Sequence, residues 1–221
     1  MTDPLLPAII VEPSGPHRST ILWLHGLGAD GNDFVPVTTE LQLPVALGVR
    51  FILPHAPYRP VTINGGYVMR AWYDIAQTDL GRTPDLDGVD ASRRAVAQWI
   101  DHELASGIEP ARLIVAGFSQ GGVIALDAAT RHQHQVGGAI ALSCYLAEPA
   151  SLPAATWPMP VFQAHGAEDT IVPQALGLAA RNSLTAQGYA VEWHEYPMPH
   201  SVCMEEIRDI RHWLLARLGE G

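Results

Sequence analysis

A serine held between glycines is the first group in this chain with the makings of a nucleophile. Gly117-Phe118-Ser119-Gln120-Gly121 follows the apolar run Leu113-Ile114-Val115-Ala116. A Gly-x-Ser-x-Gly pentapeptide at a strand end marks a sharp strand-to-helix turn that pushes the serine into the open. Small flanking residues let backbone segments approach closely, and the positive end of the following helix faces the hydroxyl. A serine hydroxyl is weak by itself, so the chemistry also needs a general base and a carboxylate to orient that base. Downstream, His165-Gly166-Ala167-Glu168-Asp169 places two acids just beyond the apolar run Val161 to Ala164. Pro197-Met198-Pro199-His200 places a histidine just beyond Val191 to Tyr196. On spacing alone either acid fits, and serine, acid, histidine is one of the chain orders in which such triads recur. Of the other nine histidines, His25 and His165 precede glycines at strand ends and read as structural, while His132 and His134 read as a polar helix end. A glycine-rich run, His25-Gly26-Leu27-Gly28-Ala29-Asp30-Gly31, supplies backbone N–H groups for half an oxyanion hole, and the amide of Gln120 supplies the other half.

These groups need a scaffold that brings strand ends together. The apolar runs Ala8 to Glu12, Thr20 to Leu24, Arg50 to Leu53, Arg112 to Ala116, Gly138 to Leu142, Val161 to Ala164 and Val191 to Tyr196 read as strands. Nearly continuous apolar character is what a parallel sheet covered on both faces requires. Helical spacing over Asp90 to Ser106 and Glu206 to Leu218 gives a βαβ rhythm. The expected fold is therefore α/β, a mostly parallel central sheet flanked by helices on both faces, as one domain over residues 1–221. Residues 54–88 break the rhythm with prolines and turn glycines and no long helix. They read as a lid-like loop over the site, or else as an insertion packed on the surface.

Composition removes several other classes. The chain of 221 residues contains no lysine, which excludes a Schiff-base lysine, a Ser-Lys dyad and a Gly-Lys-Ser/Thr phosphate loop. A net charge of −10 argues against a nucleic-acid partner or an anionic membrane. Two cysteines, Cys144 and Cys203, are too few for a disulfide scaffold or a four-cysteine zinc site, and no histidine spacing matches a zinc motif. No metal and no cofactor are expected. The N-terminal residues lack a secretory pattern and no segment reaches membrane-span length, so the expected location is cytoplasmic, without membrane insertion.

With these residues on the page, the chain resembles the acyl-protein thioesterase and carboxylesterase family of α/β-hydrolases over nearly its whole length. The resemblance is carried by Leu24-His25-Gly26-Leu27-Gly28, Pro60 to Gly66, Trp72-Tyr73-Asp74, Gly117 to Gly122, His165-Gly166 with Asp169 and Val172-Pro173, and His200. It implies a serine esterase with Ser119 as nucleophile, Asp169 as orienting acid, His200 as base, and the Leu27 and Gln120 amides as oxyanion donors. It also implies an acyl-binding channel under the 54–88 loop, lined by Trp72, Ile171 and Tyr145, although Trp72 on its own reads equally as core filling. The implied substrates are small acyl esters or thioesters, acylated proteins among them, acted on by a monomer or weak homodimer. Two departures stand out. Pro199 occupies the position before the histidine where many bacterial members have glycine. Ala76, Gln77 and Thr78 are smaller or more polar than the apolar residues found there in members that prefer long chains, so long-chain preference does not carry over. Rival readings are a lysophospholipase or lipase acting on lipid aggregates and, from another class, a ligand-binding receptor built on the same fold.

Overall fold

Nine strands and five α-helices are built from these runs in the computed structural model, which describes residues 4–76 and 84–219. The first three residues, Gln77 and Thr78 lie outside the described residues. Seven strands form one sheet: β1 (Ala8–Val11), β2 (Ser19–Leu24), β3 (Val49–Pro54), β6 (Leu113–Phe118), β7 (Gly138–Leu142), β8 (Pro160–Gly166) and β9 (Ala190–Tyr196). Their spatial order is β1-β3-β2-β6-β7-β8-β9, with β1 antiparallel at one edge and every other pair parallel.

Period-two alternation distributes each strand between two cores. Leu22 and Leu24 of β2 join Val96 and Ile100 of α2 (Leu86–Ala105) and Val123 and Leu126 of α3 (Gln120–Arg131) on one face. That face also takes Ala180 and Leu184 of α4 (Gln174–Ala186). Ile21 and Trp23 join Phe34, Leu41, and Ile210, Trp213 and Leu214 of α5 (Met204–Leu218) on the other. Leu41 immediately follows the short helix α1 (Val35–Glu40).

The order places the chain's reversal between β2 and β6, because β3 lies on one side of β2 and β6 on the other. In open α/β sheets, ligands bind outside the carboxyl ends of strands at such a switch point. Here the loop after β2 carries the glycine-rich run, and the turn after β6 carries Ser119.

The described part of residues 54–88 contains regular structure. β4 (Tyr58–Val61) and β5 (Tyr67–Arg70) pair as an antiparallel hairpin, closed by Gly65 and Gly66 at φ 66° and 78°, left-handed values that favour glycine. α2 begins at Leu86 rather than Asp90, because the Asp85 carboxylate accepts from the Gly88 amide and caps a turn that apolar periodicity does not mark.

Candidate active site

Ser119 sits at φ 55°, ψ −122°, a conformation that a non-glycine residue adopts only under constraint. Such strain costs about 1–3 kcal/mol and persists only where the surroundings over-determine it. Three features impose it. The Ser119 amide donates to the Leu142 carbonyl of β7 at 2.8 Å. A Cβ on Gly117 would lie 2.3 Å from the Gly121 carbonyl oxygen. One on Gly121 would lie 2.4 Å from that of Leu24, so the turn closes only with glycine at both places. Ser119 precedes the first turn of α3 without using its side chain as a cap, which leaves the hydroxyl free to face another partner.

That partner is His200, whose Nε2 lies 2.8 Å from Ser119 Oγ. Its Nδ1 lies 2.7 Å from Asp169 Oδ2, so Nδ1–H donates to the carboxylate and Nε2 presents its lone pair to the serine O–H. Asp169 is buried, and its other oxygen, Oδ1, accepts from the Ile171 and Val172 amides at 2.9 and 2.8 Å. This is the carboxylate turned toward the histidine, whereas Glu168 is exposed. His165 lies beneath: Nε2–H donates to the Val172 carbonyl at 2.8 Å and stands 3.5 Å from Asp169 Oδ2. Burial lowers the His165 pKa and favours the neutral ring.

His25 plays a matching part under the glycine-rich loop. Nδ1–H donates to the Gly26 carbonyl at 2.7 Å, while Nε2 accepts from the Ala56 amide at 3.0 Å. Burial is the main cause that brings its pKa down to about 4, so it remains neutral and keeps both bonds. The amides of Leu27 and Gln120 have no hydrogen-bond acceptor among the described residues. The Gln120 amide belongs to the first turn of α3, where no preceding helical carbonyl exists to receive it.

A cavity of about 530 Å³ opens beside Ser119 and His200, lined by Leu27, Ile63, Tyr73, Ile75, Tyr145 and Ile171 among others. Ile171 and Tyr145, which the resemblance implies as lining residues, both border this cavity. Trp72 does not, and its expectation is corrected. It is fully buried, its indole N–H donates to the His25 carbonyl at 2.9 Å, and it is absent from the cavity lining. Its neighbour Tyr73, although also buried, does border the cavity, and its carbonyl accepts from Gln120 Nε2 at 2.7 Å. Tyr73 is one of the lining residues that sequence reasoning missed, with Ile63 and Ile75, although the Trp72-Tyr73-Asp74 stretch contained it. Phe118, its ring 4.7 Å from that of His200, was missed as well. Ala76 is exposed. Among the described residues, no group of three or more His, Cys, Asp or Glu is arranged to hold a metal ion.

A mostly parallel sheet with a strained serine at its switch point and a histidine and carboxylate in line with it defines a serine hydrolase of the α/β-hydrolase class. The sequence profile described as phospholipase/carboxylesterase matches residues 6–217. The chain is 36% identical over 225 residues to acyl-protein thioesterase 1 of Neurospora crassa, covering 96% of this chain and 92% of that one. It superposes on the crystal structure of Zea mays acyl-protein thioesterase 2 with a TM-score of 0.84 at 32% identity, covering 97% of this chain and 100% of the other. Arabidopsis thaliana SOBER1 gives the same TM-score at 31% identity, covering 91% and 99%. The chain belongs to the phospholipase/carboxylesterase family.

Proposed function

We propose that the protein is a carboxylesterase that hydrolyses acyl esters and thioesters through Ser119, His200 and Asp169. The observation that carries this reading is the continuous relay from Asp169 Oδ2 through both nitrogens of His200 to Ser119 Oγ at the wall of a largely apolar cavity. In the proposed reaction His200 Nε2 takes the Ser119 proton as Oγ bonds to the acyl carbon, and the carbonyl electrons move onto oxygen. The Leu27 and Gln120 amides then donate to that oxyanion, and each such donor contributes roughly 3–4 kcal/mol in comparable sites. Collapse expels the thiolate or alkoxide, which takes the proton held by His200. A water molecule, deprotonated by the same nitrogen, releases the carboxylic acid and restores Ser119.

The relatives named as acyl-protein thioesterases extend the proposal to acylated proteins as substrates. Both cysteines are free thiols, consistent with a cytoplasmic setting, and the proposed acting form is a monomer or weak homodimer. No helix of the described residues is long and apolar enough to cross a membrane. One observation favours a second reading, lysophospholipase action on lipid aggregates: Tyr58, Tyr67 and Val68 of the hairpin are exposed. Comparing monomeric with micellar substrates at equal acyl length separates the two. For the main reading, Ser119→Ala abolishes ester turnover and covalent labelling by a fluorophosphonate; residual turnover at the wild-type level would refute it.

A further inference from the structure

At the inner end of the cavity stand two phenols with no counterpart in the proposed mechanism. The Tyr73 and Tyr145 hydroxyls are 3.0 Å apart and hydrogen-bonded to each other. Both residues line the same cavity as Ser119, yet they are only 1% and 5% exposed. Ile63 and Ile171, at 39% and 63%, mark the opposite, open end. The pocket thus runs from an aliphatic mouth to a phenolic floor, with Ile75 and Val172 along its walls.

Two phenols bring two O–H donors, and the bond between them uses one. The other hydroxyl proton has no acceptor among the described residues. Buried donors in native proteins nearly always have partners, so a surplus one at the floor of a ligand pocket points to the ligand. Burial raises the pKa of both phenols, which keeps both hydroxyls protonated and able to donate across the working pH range.

Resting on the esterase reading above, we propose that the Tyr73–Tyr145 hydroxyl pair determines specificity, selecting acyl groups that carry an ether, keto or hydroxyl oxygen along the chain over plain alkyl chains. A plain chain reaching the floor covers the surplus O–H without pairing it. An oxygenated chain of equal length accepts it. Sites built around a hydrogen bond discriminate more strongly than apolar walls that differ by one methylene.

The test uses aryl esters matched in chain length in which one CH2 is exchanged for oxygen, such as hexanoyl against 4-methoxybutanoyl and heptanoyl against 5-methoxypentanoyl. Each kcat/KM is divided by the ester's rate of hydroxide-catalysed hydrolysis. The wild-type protein is expected to favour the oxygenated member of at least one pair by about tenfold, the scale of one net hydrogen bond. In the Tyr73→Phe, Tyr145→Phe double variant the ratio should fall to about one. Wild-type preference for the plain chain in every pair overturns the proposal, as does a ratio unchanged in a double variant that still labels with fluorophosphonate. Should the double variant fail to label, the wild-type panel alone decides. Hydrolysis of neither member, or turnover that survives Ser119→Ala, refutes instead the esterase reading on which the proposal rests.

Discussion

Replacing Gln120 by leucine tests whether the two halves of the oxyanion hole are held together by a side chain. Gln120 Oε1 accepts from the Trp72 amide at 2.8 Å, and Nε2 donates to the Tyr73 carbonyl at 2.7 Å. Trp72 in turn holds the His25 carbonyl, two residues before Leu27, and Ser92 Oγ donates to the Trp72 carbonyl. The residue whose amide faces the developing charge therefore also pins the segment that steadies the other donor. Leucine keeps the amide and much of the volume but leaves a buried N–H and a buried C=O unpaired, each costing about 1–3 kcal/mol. The expected loss of stability is about 2–6 kcal/mol, a fall in melting temperature of roughly 4–24 °C for a chain of this size. Complete loss of one oxyanion donor costs about 10²–10³ in kcat, so a displaced donor should cost about 10- to 100-fold. Steady-state kinetics on a short ester should show that fall in kcat with KM changed less than about threefold. A lowered melting temperature with kcat within twofold of wild type would show that the bridge stabilises the fold without positioning the donors.

Three further outcomes are expected. Ser119→Gly removes both the nucleophile and the strain of φ 55°, so activity vanishes while the melting temperature rises; an unchanged or lower temperature contradicts the strain account. Asp169→Asn keeps the shape but loses the charge that holds Nδ1–H, and should lower kcat by about 10⁴ with little change in KM, measured on the same ester. Glu206 is fully buried, and burial, with Asp209 adding to it against the opposing Cys203 amide, pushes its carboxyl up to about 8; Tyr196 lies nearby, its hydroxyl donating to Asp209. A raised carboxyl pKa means that the folded state holds a proton the unfolded chain releases, so this group's contribution declines as pH rises from about 4.5 to 8 and then levels off. Glu206→Gln should therefore gain stability over wild type across that interval, by an amount on the order of 4 kcal/mol, read from denaturant midpoints at pH 5 and pH 9. A difference that does not vary with pH removes the explanation.

The sheet was legible because its strands are buried on both faces and so read as unbroken apolar runs. Each predicted strand agrees with an observed one to within two residues at either end. The meeting of Ser119, Asp169 and His200 was legible because each follows a strand of one parallel sheet, where loops at the carboxyl ends converge. The β4–β5 hairpin was not, because little of it is buried: Val61 is, but Tyr58, Tyr67 and Val68 are exposed, and alternation has almost no burial to report. Its remaining local signal is Asn64-Gly65-Gly66, a turn read only as part of a loop. Trp72 failed for a different reason. Sequence gives the identity of a side chain but not which side of the backbone it leaves from, and that choice was made by the His25 carbonyl 47 residues away in sequence.

The distribution of the three residues across the sheet also governs how the molecule fails. Ser119 leaves β6 at the centre, whereas Asp169 and His200 follow β8 and β9, and β9 is the terminal strand, much of it in contact with solvent. Exposed edges open at lower free energy than buried centres, through sub-global fluctuations that leave the rest of the molecule intact. Detachment of β9 swings the histidine away from a serine that has not moved. Under rising denaturant the protein should thus fall silent before it unfolds, passing through a state that retains the β2–β6 core and its buried indoles and recovers at once on dilution.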